Sequence, residues 1–313
     1  MKSSCADTAD FSRGKLMANQ KERFFKIRDT LVFVLFLNWA VALIKIIVGY
    51  LSNSTAIRAD GFHSVSDGLS NVLGLSGIWF ASQPIDTDHP YGHKKYETLA
   101  SLGIAFLLFM VSFDIISNAF VRFFNPVLPK LNAVSFIIMI VTLGVNIWVV
   151  NYEMKIGKDL DSDILISDSA HTRADVLLTC SVIIGMVVIK LGHAIVDPIV
   201  AVIISFFIAH SAIDILRKGS KVLCDQIAID SKIIEDLVKK VEGVIACHKI
   251  RTRGRRDDIH IDLHIQLADQ TPLVKAHQIS YRVEEEIKKQ IPGATDVVVH
   301  IEPAEDKNKP NIK

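Results

Sequence analysis

The sequence predicts an α-helical membrane domain of six transmembrane helices, followed by a cytosolic α+β domain of ferredoxin-like type. Three observations carry this expectation. Of the 313 residues 50% are hydrophobic, and the mean hydropathy of +0.34 is too apolar for an ordinary soluble domain. The apolar residues are concentrated: residues 31–217 hold long hydrophobic runs. Residues 218–313 instead mix charges with the short periodicities of amphipathic helices and strands.

A helix needs roughly 20 apolar residues to cross a bilayer. Spans are expected at 31–51, 56–81, 98–123, 133–152, 164–192 and 195–216. The first, third, fourth and sixth rest on plain hydropathy. The second and fifth are weaker, because each carries His and Asp in its first half, which a hydropathy window alone would reject. The chain is polar up to Asp29, and no small-residue cleavage pattern follows the first run, so that run reads as a permanent span. Lys15, Lys21, Arg23, Lys26 and Arg28 lie in the N-terminal tail, and Lys94, Lys95, Lys155 and Lys158 lie in the second and fourth connections. The opposite side is poor in charge, with Arg58, Arg122, Lys130 and Lys190 the nearest basic residues. Basic residues mark the cytosolic side, so both termini are expected there.

The expected layout is a cytosolic tail over 1–30, the transmembrane transport domain over 31–217, a cytosolic domain over 218–305 and a disordered end over 306–313. Within the cytosolic domain, 231–241 and 273–291 read as amphipathic helices, and 246–252, 259–267 and 296–301 as strands. This order suggests helices packed on one face of a small sheet. Cys5, Cys180, Cys224 and Cys247 are scattered without a CxxC, which suits a reducing cytosol. The net charge of +1 is a cancellation over the whole chain. It argues neither for nor against nucleic acid, which is not among the expected partners.

Chemistry enters inside the membrane. The second span contains Asp60-Gly-Phe-His63-Ser-Val-Ser-Asp67, and the fifth contains Asp168-Ser-Ala-His171-Thr-Arg-Ala-Asp175. Both repeat D-x-x-H-x-x-x-D, which places the three polar residues along one helical face. Charged groups in the bilayer interior are costly unless paired or hydrated. His63, Asp67, His171 and Asp175 can together supply two nitrogens and two oxygens in a tetrahedron, a set that suits Zn2+, with Cd2+, Co2+ and Fe2+ also accommodated. Asp60 and Asp168 lie one turn nearer a membrane face, as supporting or entry-path residues or as helix caps. Asp86, His89 and His93 share a short loop and could converge on one ion. On the strand 259–267, His260, Asp262 and His264 share one face, as do His300 and Glu302 on the last strand. Asn38, Lys45, Asp114, His210 and Asp214 are also polar within spans and read as helix–helix hydrogen bonds or snorkelling groups.

These motifs resemble the cation diffusion facilitator family over nearly the whole chain. The resemblance rests on HSVSD and HTRAD in the second and fifth spans, DTDHPYGHKKYE in the second connection, Asp197-Pro198 opening the sixth span, and the His-bearing tail. It implies a homodimeric metal/proton antiporter that exports metal from the cytosol, of the zinc/iron-type branch, with His63, Asp67, His171 and Asp175 as transport site. It implies a peripheral zinc site at Asp86, His89 and His93, and a binuclear zinc site at His248, His264, His277, His300 and Glu302. Glu302 stands where one branch has aspartate. The resemblance also pairs Lys95 with Asp225, an acid just after the sixth span.

The expected partners are therefore a second copy of the chain, the lipid bilayer, divalent metal ions and protons, with Zn2+ both carried and bound. Protons and metal compete for His and Asp, so metal binding releases protons and an inward proton flow can discharge metal outward. A membrane-embedded zinc enzyme would need an open water position and a general base. Four ligands in duplicated helices speak against one, and no enzyme is expected. A metal sensor or scaffold without transport is the other alternative. The fourth connection, 153–163, has no histidine-rich run, which favours a bacterial plasma membrane.

Overall fold

The computed structural model describes residues 4–51, 55–124, 133–190 and 196–304. The expected disordered end at 306–313 and the side chains of Asp60 and His63 lie outside the described residues. Contacts divide the chain into two units, Met1–Gly219 and Ser220–Lys313.

Each apolar run of the first unit lies in one long helix: α1 Ser4–Leu51, α2 Thr55–Ala81, α3 Lys95–Phe124, α4 Ala133–Asp159, α5 Asp163–Lys190 and α6 Val196–Leu223. Helices of 27 to 30 residues, as α2 to α6 are, reach about 40 Å, more than the roughly 30 Å of bilayer hydrocarbon. Among the described residues, α1, α3, α4 and α6 are apolar enough over such a length to cross a membrane. Pro198 sits in the first turn of α6, where its missing N–H costs nothing. α4 runs on through Lys158 into a tight turn to α5, closed by a Ser162 N–H···O=C Gly157 bond of 2.8 Å. Asp161 adopts φ 46° there, a left-handed turn residue.

The exterior of this unit is apolar and its interior is partly polar. Phe36, Phe106, Phe113, Phe120, Phe206 and Phe207 are exposed, whereas Asn71, Glu153, Asp168 and His171 are buried. Water would reject that surface, and lipid accepts it. Ile27 and Leu31 of α1, Ile78 of α2, Ile104 of α3 and Ile164 and Leu165 of α5 form one buried cluster. Leu108 of α3, Ala174 of α5 and Ile208 and Ala212 of α6 belong to another. Gly77 lets α2 press against α3, because a Cβ at that position would collide with that of Ala100.

The second unit builds a three-stranded sheet, order β1-β2-β3, from β1 Ala246–Arg255, β2 Asp258–Leu267 and β3 Ala294–Pro303. β1 and β2 are antiparallel, and β2 and β3 run parallel across the crossover helix α8 Leu273–Gln290. The short α7 Ser231–Val238 is capped by Asp230, whose side chain accepts from the Lys232 N–H. Ile234 and Val238 of α7, Ile279, Val283 and Ile287 of α8, and Ile259, Ile261, Leu263 and Ile265 of β2 bury together. Alternate residues of β2 therefore face the helices, leaving His260, Asp262 and His264 on the other side. The strands outrun the sequence expectation: β1 continues to Arg255, because its pairing with β2 persists beyond a bulge between His248 and Arg251. α7 is shorter than expected and ends at Val238.

Candidate metal centre

α2 and α5 pack against one another within the first unit. Asp67 of α2 and His171 and Asp175 of α5 each offer a ligand atom, and those atoms all lie within 4.8 Å of one another. His171 is buried, and neither ring nitrogen has a hydrogen-bond partner among the described residues. An imidazole with both nitrogens unspent inside protein is an expensive arrangement, and a cation beside the ring repays it. The helix carrying Asp67 is held close to α1, where the Trp39 indole nitrogen lies 2.6 Å from the position of a Cβ on Gly68. Further along the same interface Lys45 is buried and donates to Ser64 Oγ at 2.9 Å, a helix–helix bond rather than a snorkelling group.

Asp168 is fully buried inside α5, more than a turn past its start at Asp163, so it caps nothing. Its Oδ2 accepts from Asn71 Nδ2, and Asn71 Oδ1 accepts from Asn38 Nδ2 at 3.1 Å. Beside it stands Glu153, which faces Asp168 and Thr172. By hydropathy alone, Glu153 falls at the start of the fourth connection. The structure corrects this: α4 extends to Asp159, and Glu153 is a fully buried helical residue.

The loop between α2 and α3 gathers Asp86, His89 and His93 into a second group, again within 4.8 Å. Asp86 Oδ1 accepts the His89 backbone N–H at 2.6 Å and lies 3.1 Å from His89 Nδ1. Asp86 Oδ2 lies 3.3 Å from His93 Nε2. The backbone N–H of His89 is the main cause holding the Asp86 carboxyl below its ordinary value, against some burial. His93 is buried, and its Nδ1 has no hydrogen-bond partner among the described residues.

The third group is a row across the sheet. Strand register aligns His248 with His264 and His264 with His300. Glu302 lies beneath them, nearly buried, its Oε1 2.8 Å from His264 Nδ1 and its Oε2 3.0 Å from His248 Nε2. His300 is more exposed, 3.9 Å from Glu302 Oε1, with its ring 4.5 Å from that of His264. His277 is exposed on α8 against Tyr281 and is not gathered into this group within one chain. Lys95 belongs to the first unit and Asp225 to the second.

Two arrangements escaped the sequence reading. One is the approach of Glu153 and Asn71 to Asp168. The other is a clasp in which Arg23 of α1 meets Glu97 of α3 and the Leu160 carbonyl after α4. Glu97 stood inside the quoted DTDHPYGHKKYE motif without a role. Glu153 carried no such local signal, since hydropathy has already fallen where it stands.

The sequence matches the cation efflux transmembrane domain over residues 31–224 and the cytoplasmic domain of cation efflux proteins over residues 228–304. It is 30% identical over 280 residues to the uncharacterized transporter MJ0449 of Methanocaldococcus jannaschii, covering 88% of this chain and 98% of that one. It is 29% identical over 269 residues to the manganese efflux system protein MneS of Bacillus subtilis, covering 84% and 91%. With the cation-efflux pump FieF of Serratia proteamaculans it shares 26% identity over 263 residues, 83% of this chain and 87% of that one. A solved nickel form of a MamM CTD variant aligns at 23% identity with a TM-score of 0.23, over 24% of this chain and 94% of that chain. Taken with the paired His-Asp helices, the two domain matches and the likeness to MJ0449 place the chain in the cation efflux family, the cation diffusion facilitators.

Proposed function

We propose that this protein exports a divalent transition metal from the cytosol in exchange for protons, with Zn2+ as the preferred cargo. The observation that carries the reading is the convergence of Asp67, His171 and Asp175 between α2 and α5. His63, four residues before Asp67 on α2, completes the proposed ligand set. Two imidazoles and two carboxylates favour Zn2+ over ions that prefer oxygen alone. MneS is named for manganese, so Mn2+ is the competing cargo. In this reading all six helices of the first unit span the membrane, with both termini in the cytosol of a bacterial plasma membrane.

The mechanism follows from the ligands. His171 must be neutral and Asp67 and Asp175 ionised to hold metal, so loading from the cytosol expels protons. Rocking of the bundle then turns the site outward, where protons displace the ion. Residues 218–305 bind metal at the His248, His264 and Glu302 group and join two protomers. Asp86, His89 and His93 form the loop site, and Lys95 pairs with Asp225.

Uptake of Zn2+ into inside-out proteoliposomes, with Mn2+, Fe2+ and Cd2+ as competitors, tests the reading. Zn2+ accumulation driven by an outward proton gradient, with Mn2+ a weak competitor, is expected. A rate indifferent to the gradient would remove proton coupling, and Mn2+ outcompeting Zn2+ would reverse the cargo assignment. Metal binding without any uptake would leave a sensor or scaffold.

A further inference from the structure

Two carboxylates lie face to face inside the helical unit. Glu153 of α4 and Asp168 of α5 are both fully buried. Glu153 lies against Asp168 and Thr172, and Asp168 against Glu153, Ser70 and Asn71. Asn71 donates to Asp168 Oδ2. Asp168 Oδ1 and both oxygens of Glu153 are sequestered from solvent without a hydrogen-bond partner there. A buried unpartnered carboxylate is costly, and a second one beside it repels the first.

The groups around the pair that could bind a cation are oxygens, two carboxylates and the hydroxyls of Thr172 and Ser70, while Asn71 turns its amide NH2 to Asp168 and its oxygen to Asn38. Asp168 precedes His171 by three residues, about one turn of α5. It therefore sits between the Asp67, His171 and Asp175 group and the turn joining α4 to α5.

We propose that Glu153 and Asp168 form a second cation site, built of oxygen donors, which holds a divalent ion one helical turn from His171 on the α4–α5 side. Oxygen-only donors suit harder ions such as Mn2+ better than a site containing imidazole does. The pair would be a waiting position whose preference differs from that of the site beyond it. Metal arriving from the α4–α5 end meets this position first, and Asn71, tied to Asn38 of α1, orients Asp168 toward it.

The test uses the full-length chain in lipid nanodiscs, with Asp67→Ala and Asp175→Ala removing the transport site from every arm. Bound Mn2+ is counted by the loss of the free-ion electron paramagnetic resonance signal. Relative to this parent, adding Glu153→Gln or Asp168→Asn should remove one Mn2+ equivalent per chain. Binding at the loop and cytosolic groups is common to all arms and cancels. Identical stoichiometry and affinity in all three proteins would overturn the proposal and leave a carboxyl pair sharing a proton. If the Gln variant fails to fold, Glu153→Asp keeps the charge and shortens the reach. It should weaken that equivalent by roughly tenfold or more, and unchanged binding there overturns the site equally. Because no arm retains the transport site, the result is independent of whether the chain exports Zn2+.

Discussion

The Arg23 guanidinium lies 3.0 Å from the Glu97 carboxylate, which is only 1% exposed, and ties the start of α3 to α1. Arg23 Nε also donates to the Leu160 carbonyl at 2.7 Å, and Ser162 Oγ donates to Glu97 Oε1 at 2.8 Å. One ion pair thereby fastens three helix ends. Removing one partner leaves the other charge buried, which costs about 3 kcal/mol or more. Arg23→Ala and Glu97→Gln should each lower the melting temperature of the detergent-solubilised protein, and the double variant should lose less than the sum. Additive losses would show that the two residues act separately.

Deleting a ligand at the α2–α5 group should separate transport from folding. Asp67→Ala or Asp175→Ala removes a carboxylate and little packing, since both residues are only partly buried. Vesicle uptake should fall to background while the melting profile stays close to that of the parent. Retained uptake in either variant would remove that residue from the proposed site.

The pair of cytosolic-unit cysteines should differ in reactivity. Cys247 is buried in β1, and burial is the main cause pushing its thiol up to about 11, with Glu235 adding to the rise and Lys239 opposing it. Cys224 is exposed. Only the thiolate reacts readily, so iodoacetamide at neutral pH should label Cys224 well before Cys247, as read by peptide mass spectrometry. Equal labelling would mean that β1 opens on the labelling timescale.

A pH-dependent contribution to stability should come from His260, which lies 3.7 Å from Asp258 and 3.6 Å from Asp296. The neighbouring Asp258 carboxylate is the largest cause of a pKa raised above 6.5, with Asp296 adding and burial opposing. A raised folded value means that the protonated form favours the native state. The contribution is therefore full below the unfolded value of 6.5 and disappears as pH rises through the higher folded one. Denaturant unfolding of the parent and of His260→Gln should diverge in acid and converge toward alkaline pH. The opposite trend would reverse the sign of the assigned shift.

Glu302 bridges His248 and His264 in the cytosolic unit. Glu302→Ala should weaken Zn2+ binding by that group by about tenfold or more, measured by competition with a fluorescent chelator. Unchanged binding would take Glu302 out of the ligand set.

The legible parts of this protein were those with a local signature. Apolar runs announced the helices, and period-2 alternation sorted the β2 residues into a core face and a histidine face. The repeated D-x-x-H-x-x-x-D singled out Asp67 on α2 and His171 and Asp175 on α5 because helical spacing puts each motif on one side of its own helix, while the meeting of the two sides depends on packing. Glu153 was misread because hydropathy reports where lipid contact ends, and a helix can continue past that point into a protein-lined interior. Arg23 and Glu97 are 74 residues apart, so nothing in the sequence near either one names the other. The bulge after His248, with Lys249 at φ 51°, was equally invisible. It depends on how β1 meets β2 and leaves no fixed residue pattern.

All sixteen phenylalanines precede Ser220, and many of those in the first unit point outward. The second unit is built on an aliphatic core without one. Biogenesis is thereby divided along the chain. The helices that emerge first from the ribosome have no soluble resting state and must pass directly into lipid, so their assembly depends on the insertion machinery keeping pace with translation. The domain that follows is synthesised last and can collapse in water by itself, once the helices before it are in place.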